Sequence, residues 1–186
     1  KMQRINNRGT GAGGAQTNVN GLPYEIITSL DTEFTVIRNI NKYTNIISFN
    51  SYNGEFVHTM QRGFKIYMIE RNQINNDTEF PHGCKRPDEC IIDETNRKVY
   101  ILEKKFQQTS GSVCEKIQTG IFKKIAYNRL FPEYTVHYIY CLSRWLFDNI
   151  STITIEENRN NGVMMFCGDD VNYKRNIVQY IMNTRN

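Results

Sequence analysis

Residues 87 to 105 read PDECIIDETNRKVYILEKK, two short apolar runs joined by a polar turn. Asp88 to Asp93 and Val99 to Phe106 are predicted as two strands of a hairpin, with the chain reversing at Glu94-Thr95-Asn96. Asp88 opens the first strand and Glu103 lies near the end of the second, so the reversal brings the two carboxylates side by side. Lys105 follows Glu103 by two residues, which on a pleated strand puts both on one face. Converging carboxylates suit Mg²⁺, which takes one or two of them and fills its remaining positions with water. A nearby ammonium can orient the attacking water or offset charge as it develops. The plainer alternative is an exposed Glu103–Lys105 pair on a strand and an ordinary Pro-Asp turn at Pro87.

The segments around this hairpin alternate strand and helix. Phe34 to Glu70 is rich in β-branched and aromatic residues, with Asn53-Gly54 as a two-residue hairpin turn and FKIYMIE as a further strand. Upstream, Pro23 near a first turn and apolar residues at 26, 27 and 30 predict a short helix carrying Glu25. Downstream, Val113, Ile117, Ile121 and Ile125 form one row of a single helix over residues 113 to 130, with Lys116, Lys123 and Tyr127 on the opposite face. Tyr134 to Ser143 reads as a buried strand. Residues 157 to 162 (ENRNNG) read as a polar loop, and Asp169 or Asp170 as the cap of a last helix through Ile177 and Ile181. The fold class is α/β, a central mixed sheet flanked by helices. Residues 1 to 20, rich in glycine and amides, read as a flexible arm before one domain spanning 21 to 186.

A chain of 186 residues can bury a core without disulfides. Its five cysteines, an odd number without a CxxC pair, read as free thiols. His82, Cys84 and Cys90 lack a fourth zinc ligand at a matching spacing. No apolar run approaches the ~18 residues of a membrane span, so a membrane partner is not expected and a cytoplasmic location is. The net charge of +4 is mild, but residues 97 to 129 hold eight Lys or Arg against two acids, a distribution that suits phosphate. For each such residue the plainer reading is a solvated surface charge. His58, His82 and His137 have no nucleophile or acid partner in the sequence and receive no role.

The stretch Pro87-Asp88, fourteen residues, then Glu103-Lys104-Lys105, with VYIL leading into it, resembles the signature of the PD-(D/E)xK nucleases of restriction-endonuclease-like fold. The likeness covers Gly21 to Ser143 and is strongest to small type II restriction endonucleases. It implies a restriction-endonuclease-like sheet in which Asp88 and Glu103 hold Mg²⁺ (Mn²⁺ substituting), joined by the backbone carbonyl of Lys104. Glu25 would assist directly or through water, and Lys105 would position the nucleophile. Asp88 is preferred as the acid following Pro87, and Glu89, on the other face by alternation, is the fallback. The implied substrate is double-stranded DNA, cut at specific sites by a homodimer. Ser110, Gly111, Ser112 and Lys116 are candidate phosphate contacts, with a serine helix cap as the equal alternative for the serines. Arg4, Arg8, Gln16, Asn18 and Asn20 are candidates for base edges. Gln118 with Phe122 has Phe where exonuclease-type members carry Tyr. A repair, structure-selective or homing nuclease, or an inactive DNA-binding module, are the rival functions. The AT-rich residue usage suits a bacterial or viral source.

Overall fold

The computed structural model describes residues 14–110 and 112–185. Its frame is one seven-stranded mixed sheet in which spatial order follows chain order: β1 (Phe34–Asn41), β2 (Thr44–Phe49), β3 (Phe56–Met60), β4 (Glu89–Asp93), β5 (Lys98–Lys105), β6 (Thr135–Leu142) and β7 (Val163–Cys167). β1 to β5 form an antiparallel meander, whereas β5, β6 and β7 run parallel. Parallel neighbours need crossovers, and helices supply them. α3 (Val113–Gln118) and α4 (Gly120–Leu130) join β5 to β6, and α5 (Arg144–Asn149) and α6 (Thr152–Asn160) join β6 to β7. α1 (Gly14–Ile27) precedes the sheet, α2 (Gly63–Glu70) links β3 to β4, and α7 (Tyr173–Asn183) closes the chain.

Both faces of the central strands are covered, which explains why their sequences are continuously apolar rather than alternating. On one face Cys90, Ile92, Val99 and Ile101 pack with Phe64 and Met68 of α2, Ile117 of α3 and Tyr127 of α4. On the other, Ile91, Tyr100 and Leu102 pack with Tyr24 of α1 and with Ile177 and Ile181 of α7. Each fully buried side chain of this size contributes about 1.5–3 kcal/mol, so these two layers hold the hairpin of β4 and β5 in place. At the outer edge β1 is largely exposed, and its pairing with β2 is broken by two register shifts that blunt the edge.

Several sequence expectations change. FKIYMIE is helix α2, because its buried residues Gly63, Phe64, Tyr67 and Met68 follow a helical spacing rather than alternation. The turn at Asn53-Gly54 is part of a longer connection, residues 50–55, in which the Asn50 N–H is tied to the Glu33 carbonyl. Residues 14–20, read as part of the arm, begin α1, and Pro23 lies inside that helix instead of in its first turn. Residues 157–160 of ENRNNG belong to α6. Asn172 caps α7 by position, while the Asp170 carboxylate accepts the Asn172 N–H and Asp169 accepts that of Arg144.

The single helix expected over 113 to 130 breaks at Thr119, and the break turns the faces. Tyr127 is buried, while Phe122 and Ile125 are exposed. Gly120 marks the cause: it lies against β6 so closely that a Cβ there would sit 2.6 Å from Tyr140 Cε2 and 2.8 Å from Asn158 Oδ1. Gly120→Ala is expected to destabilise the fold by about 1–3 kcal/mol, read as a lower urea midpoint, since overpacking must push α4 off the sheet. An unchanged midpoint would contradict this packing.

Candidate active site

The antiparallel register pairs Glu89 with Leu102, and one more step along it sets Asp88 across from Glu103. Asp88 Oδ2 accepts the Lys104 N–H at 2.8 Å, which fixes its carboxylate against the neighbouring strand. Glu103 Oε1 accepts from Lys105 Nζ at 2.6 Å and also from Lys123 Nζ of α4 at 3.2 Å. Asp88, Glu103 and Lys105 therefore meet on the face that α4 covers. Glu25 reaches the same place from α1, where its half-buried carboxyl feels Lys104, Lys105 and Glu103.

Burial and negative crowding dominate the electrostatics. Burial first, and then the charge of Glu103, push the Asp88 carboxyl up to about 7, against opposing pulls from Lys105 and the Lys104 N–H. Burial also raises Glu25 above the ordinary carboxylate range. Burial alone would lower the Lys105 ammonium, but Glu103, Asp88 and Glu25 around it hold it above the usual lysine range.

Glu89 faces the opposite way and does a different job. It is fully buried, its Oε1 accepting from the Leu30 N–H at 3.1 Å and from His58 Nε2 at 3.0 Å. Lys104 Nζ donates to the Glu25 carbonyl at 2.9 Å and lies 2.8 Å from Glu89 Oε2 as an ion pair. Burial alone would raise this carboxyl, but His58 and Lys104 together hold it down to about 2. Glu89, the fallback acid, is thus a structural anion, and His58 its partner. The Lys104 side chain ties the end of α1 to the sheet, while its backbone N–H serves Asp88.

Among the described residues no group of three or more His, Cys, Asp or Glu side chains is gathered as a ready metal cage. Mg²⁺ asks for less than a cage, one or two carboxylates plus water. Asp88 and Glu103 provide two that crowd each other enough to raise Asp88, a repulsion that a divalent cation between them relieves. The donor set, two carboxylates with oxygen ligands only, therefore fits Mg²⁺ or Mn²⁺. The five cysteines are free thiols, and Cys84 and Cys90 are buried.

The remaining expected contacts are less gathered. Ser110, Ser112 and Lys116 are exposed beyond the end of β5, and Ser112, at the cap position of α3, makes no side-chain cap bond. Arg4 and Arg8 lie outside the described residues, as do the side chains of Gln16, Asn18 and Asn20. His137 stacks on Tyr100 and binds the Tyr180 hydroxyl at 3.0 Å, away from the carboxylates. Two features were missed in the sequence. Lys123, grouped in the sequence with Lys116 and Tyr127 on the far face of an unbroken helix, received no role at the carboxylates. A groove lined by Tyr43, Gln61, Arg62 and Arg86 also escaped notice, and the Gln61 N–H joins it to the Pro87 carbonyl beside Asp88 at 3.0 Å. No helix among the described residues is long and apolar enough to cross a membrane. In comparisons with known proteins, no family, no curated protein and no solved structure matches the chain.

Two outcomes are expected. Lys104→Met leaves Glu89 buried without its cation and should destabilise the fold by about 3 kcal/mol or more in urea denaturation; a variant as stable as the parent would contradict the ion pair. The second concerns pH in metal-free protein. The folded chain keeps the Asp88 proton up to about 7, whereas an unfolded aspartate loses it near ~3.9. The Asp88 contribution to parent stability therefore falls as pH rises from about 4 to about 7, and Asp88→Asn escapes that loss. The variant should be the more stable by about 2 kcal/mol at pH 8, with the gap closing towards pH 4; a gap independent of pH would contradict the burial of Asp88.

Proposed function

We propose that this protein is a metal-dependent nuclease of restriction-endonuclease-like fold that hydrolyses phosphodiester bonds of double-stranded DNA, in the manner of a type II restriction endonuclease. The observation that carries the reading is Asp88 facing Glu103 across one strand register, with Lys105 bonded to Glu103. Mg²⁺, or Mn²⁺ in its place, polarises the phosphate and lowers the pKa of bound water when held there. Asp88 and Glu103 are the residues that would hold it, with the Lys104 carbonyl as a further ligand. Lys105, kept charged by the surrounding acids, orients the attacking water and offsets charge on the phosphate as it develops. Glu25, whose half-buried carboxyl feels Lys105 and Glu103, assists directly or through water. In-line attack leaves 5′-phosphate and 3′-hydroxyl ends.

Duplex DNA as the substrate is supported by the arginine groove next to Asp88, where neither Arg62, which donates to the Tyr43 hydroxyl, nor Arg86 meets a carboxylate among the described residues. Ser110, Ser112, Lys116 and the arm residues Arg4 and Arg8 extend that contact. Two strands require two cuts, which a homodimer with one centre per strand supplies. A DNA-binding module without catalysis is disfavoured because Asp88, Glu103 and Lys105 are all present, with Lys105 bonded to Glu103 and Asp88 fixed beside them by the Lys104 N–H.

Digestion of a mixed-sequence plasmid with Mg²⁺ tests the reading. Discrete bands are expected, with Asp88→Ala and Glu103→Ala each lowering the rate at least ~100-fold. A smear would favour a repair or structure-selective nuclease, and cleavage unchanged in both variants would exclude this centre.

A further inference from the structure

We propose that Lys123 is a second cation of the centre and contacts the scissile phosphate, an inference that rests on the nuclease reading. Glu103 Oε1 already has a partner in Lys105 at 2.6 Å, so the fold does not need a second ammonium merely to neutralise it. Lys123 nevertheless comes within 3.2 Å of the same oxygen with only 12% of its side chain exposed. Taking an ammonium this far out of water carries a desolvation cost that a spare surface lysine avoids. The gain lies in charge: Asp88, Glu103 and Glu25 set three carboxyl groups around the single ammonium of Lys105. Lys123 adds the second positive charge that an incoming phosphate requires.

Three elements build the position. Gly120 lets the start of α4 sit directly on β6, which sets residue 123 one turn further along, over Glu103. The loop before Asp88 walls the other side, with Gly83 at φ +81 so close that a Cβ there would lie 3.4 Å from both Cε and Nζ of Lys123. The Tyr127 hydroxyl donates to the Cys84 carbonyl at 2.6 Å and locks that loop to the same helix. Lys123 is thus held in a slot that opens on the carboxylates. A phosphate oxygen that approaches Glu103 meets Lys123 as well as Lys105.

The neighbouring Lys124, which donates to the Asn161 carbonyl at 2.8 Å, is the control. Lys123→Met, Lys123→Gln, Lys123→Arg and Lys124→Met are compared with the parent. Binding to a duplex oligonucleotide is measured in EDTA across a salt series, and cleavage is measured with Mg²⁺. The neutral variants at 123 should lower the slope of log K against log salt by about one phosphate contact, and lower kcat roughly 10- to 100-fold. Lys123→Arg should restore the slope, and Lys124→Met should match the parent in both. A purely structural role would move the melting temperature and leave the slope alone, which would overturn the proposal. If Met at 123 unfolds the chain, Gln and Arg still decide the question, because the slope must follow charge. A parent that neither binds nor cuts duplex DNA would instead remove the nuclease reading itself. A parent that does both, with neutral variants indistinguishable from it, removes only the role of Lys123.

Discussion

The register between β4 and β5 is the constraint on which the site depends. With Glu89 opposite Leu102, the pleat sends Asp88, Glu103 and Lys105 to the face under α4, and Glu89 and Lys104 to the face under α1. A slip of one residue would exchange the two sets, since strand side chains alternate with period two. Apolar packing alone would not forbid that slip, because both faces of both strands are covered and Ile, Val and Leu serve either side. The charges forbid it. Only this register gives buried Glu89 its lysine, its histidine and the Leu30 N–H while leaving Asp88 beside Glu103. At the far end of the hairpin, Asp93 accepts from Asn96 and from Arg185 at 2.6 Å, which pins the turn as well.

The two ionic clusters divide the labour. The buried cluster under α1 is closed, with each charge met by another, and its carboxyl is held well below the ordinary range. The cluster under α4 is open and strained, with one carboxyl lifted towards neutral pH by burial and by its neighbour. Lys104 belongs to both, its side chain to the first and its N–H to the second, so it couples the position of α1 to that of Asp88. Through this link Glu25 reaches the open cluster although it sits on a helix of the opposite layer. Strain of this kind costs stability and is useful where a cation or a substrate relieves it.

Much of the sheet was legible in the sequence because its signals are local. The apolar runs CIID and VYIL, the polar turn between them and the two-residue step from Glu103 to Lys105 all act within one hairpin. The run YTVHYIYCLS likewise marked β6. What escaped depends on tertiary contacts. FKIYMIE has too few residues to separate period two from 3.6, and its helical state is settled by Phe64 and Met68 entering the core. The break at Thr119 follows from Gly120 meeting Tyr140, a contact 20 residues away in sequence, and it is this break that turns Lys123 towards Glu103. Asp88 and Glu89 could be ranked in the sequence only by the proline before them, whereas their environments separate them cleanly. Residues 144 to 167 gave weak patterns because α5 and α6 are short and present few buried side chains.

The central claim is that Asp88 and Glu103 form an oxygen-ligand site for a divalent cation while Glu89, one residue away, does not. Titration of Mn²⁺ followed by its electron paramagnetic resonance signal addresses this without any substrate. Binding to the parent that is lost in both Asp88→Asn and Glu103→Gln, and that weakens as pH falls below about 7 in step with protonation of Asp88, is the result the account predicts. Mn²⁺ bound equally well by the parent and both variants would contradict it.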